Sequence, residues 1–300
     1  MALLHKPNLN TVVSIEIQDD KGKYLPIATG FLIGFAIDKS LKLEDRRYQI
    51  FLVTNRHVFQ GHPVVWLRFN RKIPADSTRF PLNLIVNGQN MWLAHRDKNV
   101  DLAMVTISHD FLNQQNIEWG FFIEEMFACY SDFDNIGIAL GDELYVLGFP
   151  MGLAGILRNN PIVRHGIIAR IDKEIIEQQK VFLIDAFVFP GNSGGPVLSK
   201  PTDIGLGGTK TVPNIYLLGA ISGYKPYKEI LYSHQTEPPS VASVTTENSG
   251  LATVVPMDYA KEIYDNWTQS NKLLEKAISS EKSVKEQVVK GGPNIPSSSK

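Results

Sequence analysis

The sequence predicts an all-β chain, and three observations predict it. Eleven short runs rich in Val, Ile, Phe and Tyr recur along its 300 residues, and clusters of Gly, Pro, Asn or Asp punctuate them. With 43% hydrophobic and 20% charged residues the composition is that of an ordinary globular protein, with enough chain for two β units.

Taken in order, the runs are TVVSIEI (11–17), ATGFLIGFAI (28–37), YQIFLVT (48–54), VVWLRF (64–69), LNLIV (82–86) and DLAMVTI (101–107). Each is short, and most either alternate or stay apolar throughout, as half-buried and fully buried strands do. The pattern then lapses over 109–135, HDFLNQQNIEWGFFIEEMFACYSDFDN, which suits a linker or short helical segment. It resumes with ELYVLGF (143–149), HGIIARI (165–171), KVFLIDAFVF (180–189), IYLLGAISGY (215–224) and LATVVP (251–256). This divides the chain into a first β unit at 1–120 and a second at 121–256. After Pro256, Met257, Ala260, Ile263, Tyr264 and Trp267 fall at spacings of three and four, the signature of an amphipathic helix. A C-terminal helical segment is expected over 257–290, and a disordered tail over 291–300.

Charge and cysteine content exclude several classes. The 30 basic residues are scattered and matched by 31 acidic ones, so neither nucleic acid nor an anionic membrane is implied as a partner. No run is long and apolar enough to span a bilayer. MALLHKPNLN holds too short an apolar run for a secretory signal, and Cys129 is the only cysteine, so the expected location is cytoplasmic. In that setting the tripeptide Asn266-Trp267-Thr268 carries no weight as a glycosylation site. His5, His62, His95, His109, His165 and His234 show no metal-binding spacing, and no metal or cofactor is implied. GLGGTKT (205–211) has Thr209 where a phosphate loop needs Gly before its Lys, and Pro201 and Pro213 flank it; a surface loop is expected there.

FVFPGNSGGPVL (187–198) sets one serine, Ser193, among three glycines and two prolines. Glycine admits backbone angles that other residues avoid, so this is a tightly shaped loop presenting a hydroxyl. A serine needs a positioned base, and the base a third group to orient it. In IFLVTNRHVF an apolar run ends at a polar turn holding His57, and in DKNVDLAMVTI Asp101 opens another run, with Asp97 four residues earlier as its rival. His57 would take the hydroxyl proton, Asp101 would fix its tautomer, and the N–H groups of Gly191 and Ser193 would converge on the developing oxyanion.

GNSGGP, TNRHV and DLAMV, in the order Ser last, resemble the chymotrypsin-like serine endopeptidases. GFPMG (148–152), HGIIA (165–169) and GLATVVPMDYAKEI (250–263) bring the resemblance closest to the HtrA (Deg) branch. It implies two six-stranded antiparallel β-barrels with the site in the cleft between them, and a triad of His57, Asp101 and Ser193 with an oxyanion hole at Gly191 and Ser193. It further implies a primary specificity pocket with Phe187, Val188 and Phe189 on one wall and Ile221, Ser222, Gly223 and Tyr224 on the other. Phe187 stands where Lys- or Arg-selective members carry Asp, and an apolar pocket base leaves a cation desolvated. Cleavage after small or medium apolar residues is therefore expected.

Two departures matter. Asn192 replaces the acid that meets a new N-terminus in digestive members, so no proteolytic activation step is expected. The residues after 256 are too few for the PDZ domain usual in the HtrA branch, so PDZ-regulated quality control is not expected. Two function classes follow: an endopeptidase acting on polypeptide substrates, or a protease-like binding module in a stress or defence system, latent until a partner engages it, with the C-terminal helix as a docking element.

Overall fold

A computed structural model describes residues 4–203, 210–233 and 240–273. The first β unit contains β1 (Val12–Gln18), β2 (Tyr24–Ala36), β3 (Tyr48–Thr54), β4 (Val64–Asn70), β5 (Ser77–Asn83), β6 (Ile85–Val86), β7 (Gln89–Asn90), β8 (Leu93–Ala94), β9 (Ala103–Thr106) and β10 (Phe122–Ile123). Its main sheet has the order β5-β4-β1-β2-β3-β9-β8, with β10 added in parallel to β2. The second unit contains β11 (Glu143–Gly148), β12 (Ile162–Arg170), β13 (Phe182–Asp185), β14 (Pro196–Ser199), β15 (Leu217–Ser233) and β16 (Ser240–Pro256). These six close into a barrel, β11-β12-β13-β16-β15-β14.

Burial follows the apolar pattern. From Ala28 to Ala36 β2 is buried at every position, as a near-continuous apolar run in a central strand should be. Ile15, Leu32, Leu52, Val65, Leu84 and Val105 belong to the first core; Val146, Ile168, Ile184, Val197, Ile221 and Val254 belong to the second. Truncating any of these to Ala typically costs about 2–5 kcal/mol.

A polar clamp joins the two β units. Buried Arg68 on β4 donates from Nη2 to the carbonyls of Gly155 and Ile156, both at 3.0 Å, in the loop between β11 and β12. Asn70 and Asn159 bond reciprocally, Nδ2 to carbonyl at 2.9 Å and backbone N–H to Oδ1 at 2.6 Å, and Arg158 pairs with Glu118. Arg68 is in turn held beside Glu16, whose carboxylate is fully buried and paired with Arg79. This fixes the loop whose first residues border the candidate site.

Three expectations change. The first unit is an open eight-stranded sheet rather than a closed six-stranded barrel, because the β6–β7 hairpin interrupts the path between β5 and β8 and β8 has two residues with which to pair. LNLIV is not one strand: it splits between the end of β5 and β6, with Leu84 wholly buried between them. The run 180–189 forms a strand over Phe182–Asp185 and leaves Phe187 to Phe189 outside it, while β15 and β16 extend past their apolar runs and stay paired, 226–233 with 240–248. Two-residue strands and solvent-facing arms carry no core pattern from which a sequence can reveal them.

Residues 1–260 make one compact unit, and the chain from 261 belongs to a second. A helix runs over 258–273, with Met257, Ala260 and Ile263 buried as their spacing predicts. No helix among the described residues is long and apolar enough to cross a membrane. The expected helix beyond 273, the tail and most of GLGGTKT lie outside the described residues.

Candidate active site

His57 and Asp101 are brought together by two strand ends. β3 ends at the buried Thr54, and a short helix, Arg56–Phe59, follows; Val58 and Phe59 enter the core, which turns His57 outward with its side chain half exposed. Asp101 lies between Val100 and Leu102, both fully buried, just before β9. Asn55 Nδ2 donates to the Asp101 carbonyl at 2.8 Å, fixing one strand end to the other.

The Asp101 carboxylate accepts three hydrogen bonds: from the His57 backbone N–H to Oδ1 at 3.0 Å, from His57 Nδ1 to Oδ2 at 2.7 Å, and from Ser222 Oγ to Oδ2 at 2.8 Å. Burial pushes its pKa up, but the His57 and Ser222 bonds outweigh that and hold it below the ordinary aspartate value. An ionised Asp101 assigns the proton of the pair to Nδ1, so Nε2 keeps a free lone pair. Asp97, the rival acid, is engaged elsewhere, with Lys180 at 3.6 Å and the Asn99 N–H at 2.9 Å.

The serine loop is held from both β units. The Asn192 N–H donates to the Phe189 carbonyl at 2.9 Å, and the Phe189 N–H to Asn192 Oδ1 at 3.1 Å. Thr29 on β2 donates its N–H to the Ser193 carbonyl at 2.9 Å and its hydroxyl to the Gly191 carbonyl at 2.7 Å. From the other side, the Gly194 N–H donates to the Ile221 carbonyl at 2.7 Å. Gly194 has φ +79°, and a Cβ there would lie 2.2 Å from both Thr29 O and Thr54 Oγ1. The backbone beside Ser193 thus touches Thr54, three residues before His57.

Gly191 has φ +97°, and a Cβ there would lie 2.3 Å from the Phe149 carbonyl oxygen. The Met151 N–H takes the Pro190 carbonyl at 2.6 Å. Among the described residues the N–H groups of Gly191 and Ser193 donate to no other group. The Ser193 hydroxyl makes no hydrogen bond among the described residues either, so the structure forms the His57–Asp101 contact without the His57–Ser193 one. Catalytic hydrogen bonds are often loose before substrate is seated.

A family model described as a trypsin-like peptidase domain matches residues 28–203, a span that encloses His57, Asp101 and Ser193. The chain belongs to that family. No curated protein matches the chain. Among solved structures, "atomic resolution structure of HBP" is similar at 12% identity with a TM-score of 0.44, covering 88% of this chain and 93% of that one.

The residues expected to line the primary pocket divide into groups. Val188 and Ile221 are buried in the second core, so any wall there is backbone. Phe187 is 54% exposed. Phe189 is half-buried under the Arg164 guanidinium, whose carbon lies 5.0 Å from the ring centroid. The Gly223 carbonyl accepts from Thr253 Oγ1 at 3.2 Å, and Tyr224 is about one-third exposed, at 37%. The Ser222 side chain goes to Asp101 rather than to a wall.

Thr29 was missed by the sequence reading, and Ser222 was given the role of a pocket wall, not that of a partner to Asp101. Thr29 is a polar residue buried inside an apolar run, a signal that it bonds something specific. Ser222 gave no such signal, since its partner lies 121 residues away.

Proposed function

We propose that the protein is a serine endopeptidase working through His57, Asp101 and Ser193. Ser193 Oγ attacks the scissile carbonyl while His57 Nε2 takes its proton. The N–H groups of Gly191 and Ser193 stabilise the oxyanion, and His57 returns the proton to the leaving amine. Water then hydrolyses the acyl-enzyme by the reverse proton path, and no cofactor is needed. The observation that carries this reading is the Asp101 carboxylate, tied to His57 by two bonds and to Ser222 by a third, which leaves Nε2 as a base facing out. Asn192, buried and bonded within its own loop, supports activity without a proteolytic activation step. The HtrA-like motifs belong to the same reading.

Treatment with a fluorophosphonate probe tests it. Wild type is expected to label, and Ser193→Ala and His57→Ala are not; wild type that fails to label under any condition overturns the reading. The unbonded Ser193 hydroxyl favours one second reading, a peptidase latent until a protein partner engages it. In that case labelling appears only when the partner is added.

A further inference from the structure

We propose that the primary specificity pocket takes an acidic side chain, recognised by Arg164; this rests on the serine peptidase reading above. The argument starts from an unpaired cation on the wrong face of a strand. Side chains alternate along β12, and Gly166 and Ile168 are buried toward the interior of the second barrel. Arg164 shares their parity. Its cross-strand partner is Val146, fully buried in the second core, and residues directly opposite in an antiparallel pair point to the same side. Arg164 therefore enters the barrel from its end, where an apolar residue would ordinarily stand.

Among the described residues Arg164 makes no hydrogen bond or ion pair, and its Nε is buried with no partner. Its contact is the face of Phe189, at 5.0 Å. The carboxylates of the flanking strands do not neutralise it. Glu143 is engaged by Lys200 and His165, and Asp185, opposite the outward-facing Ile167, forms no ion pair with it. By contrast Arg170, on the same strand, is paired with Asp172. Arginines that enter an interior are almost always paired, and an unsatisfied one calls for an explanation.

Position supplies the explanation. Phe189 is four residues before Ser193 and is bonded through N–H and carbonyl to Asn192, so the ring that carries the guanidinium is part of the serine loop. Phe187 is exposed and takes no part in the core of that barrel. A guanidinium half withdrawn from water, backed by an aromatic ring and lacking a counter-charge, matches a carboxylate in a two-pronged hydrogen bond better than any neutral or cationic side chain. The residue N-terminal to the scissile bond supplies that carboxylate as Glu or Asp.

The test is a set of acetyl-tetrapeptide coumarin amides differing only in the last residue, Glu, Gln, Leu or Arg. Glu is expected to exceed its isostere Gln in kcat/KM by at least about tenfold, the fold-change one charge-assisted hydrogen bond supports. Arg164→Gln should bring that ratio close to one, and Arg164→Lys should keep part of it. Equal rates for Glu and Gln, a preference for Leu or Arg, or a ratio unmoved in Arg164→Gln overturns the proposal. The fluorophosphonate probe carries no such side chain, so labelled Ser193 with no Glu preference sinks this inference alone. If nothing labels, binding of the Glu and Gln peptide amides to Ser193→Ala by NMR decides it: Glu tighter supports the pocket, and no difference overturns it.

Discussion

Ser222 Oγ and His57 Nδ1 meet on one atom, Asp101 Oδ2, at 2.8 and 2.7 Å. Ser222 comes from β15 of the second barrel, while His57 and Asp101 come from the first unit. The carboxylate is therefore a joint between the two units as well as the orienting group of the base.

Ser222→Ala removes one of the bonds that favour the ionised carboxylate, so the Asp101 pKa rises toward its ordinary value. A depressed carboxylate pKa stabilises the fold above the unfolded pKa, and that contribution is lost as pH falls through the folded one. The variant is expected to lose about 1–3 kcal/mol at pH 7. Thermal melts from pH 7 down to below the wild-type folded pKa should show the Asp101 part of that gap closing at the acid end; a gap of constant size contradicts the assignment.

Asp101→Asn keeps the shape but can offer an N–H to Nδ1, which puts the imidazole proton on Nε2, where it cannot accept one from Ser193. By the Ser-His-Asp template kcat should fall on the order of 10⁴-fold with KM little changed. Steady-state kinetics on a peptide amide measure this, and a loss below tenfold removes Asp101 from the proposed machinery.

Gly191→Ala and Gly194→Ala should fail differently. At Gly194 a methyl meets two oxygens at 2.2 Å, one from β2 and one from β3, so the junction between the units must part. A loss of more than about 3 kcal/mol is expected, read as the shift in denaturant midpoint. At Gly191 the methyl meets the Phe149 carbonyl oxygen at 2.3 Å, in the loop beside the site and not in the strands that join the units. There the expected damage is to the oxyanion site, about a hundredfold in fluorophosphonate labelling rate.

Arg68→Ala takes two donors from the loop carbonyls and leaves the buried Glu16 with Arg79 alone. Losing one partner of a buried charge cluster destabilises by about 3 kcal/mol. The freed loop carries the exposed Leu153, Ile156 and Leu157, so chymotrypsin nicking there should accelerate, with mass spectrometry locating the cut. Wild-type nicking rates would show that the clamp does not hold the loop.

The all-β class, most of the strands and the helix after Pro256 were legible because strand and helix burial impose periods of two and 3.6 on the side chains themselves. The turn around Ser193 was legible for a related reason, since positive φ at Gly191 and Gly194 selects glycine locally. What the tertiary structure alone decided is which distant groups share an atom or lack a partner. It chose Asp101 over Asp97, sent Ser222 to the carboxylate instead of to a pocket wall, turned Phe187 out to solvent and left Arg164 inside without a counter-charge. Hydrogen bonds and ion pairs depend on distances of a few ångströms between residues as far apart as Thr29 and Gly191, 162 positions, and a one-dimensional pattern holds no record of those distances.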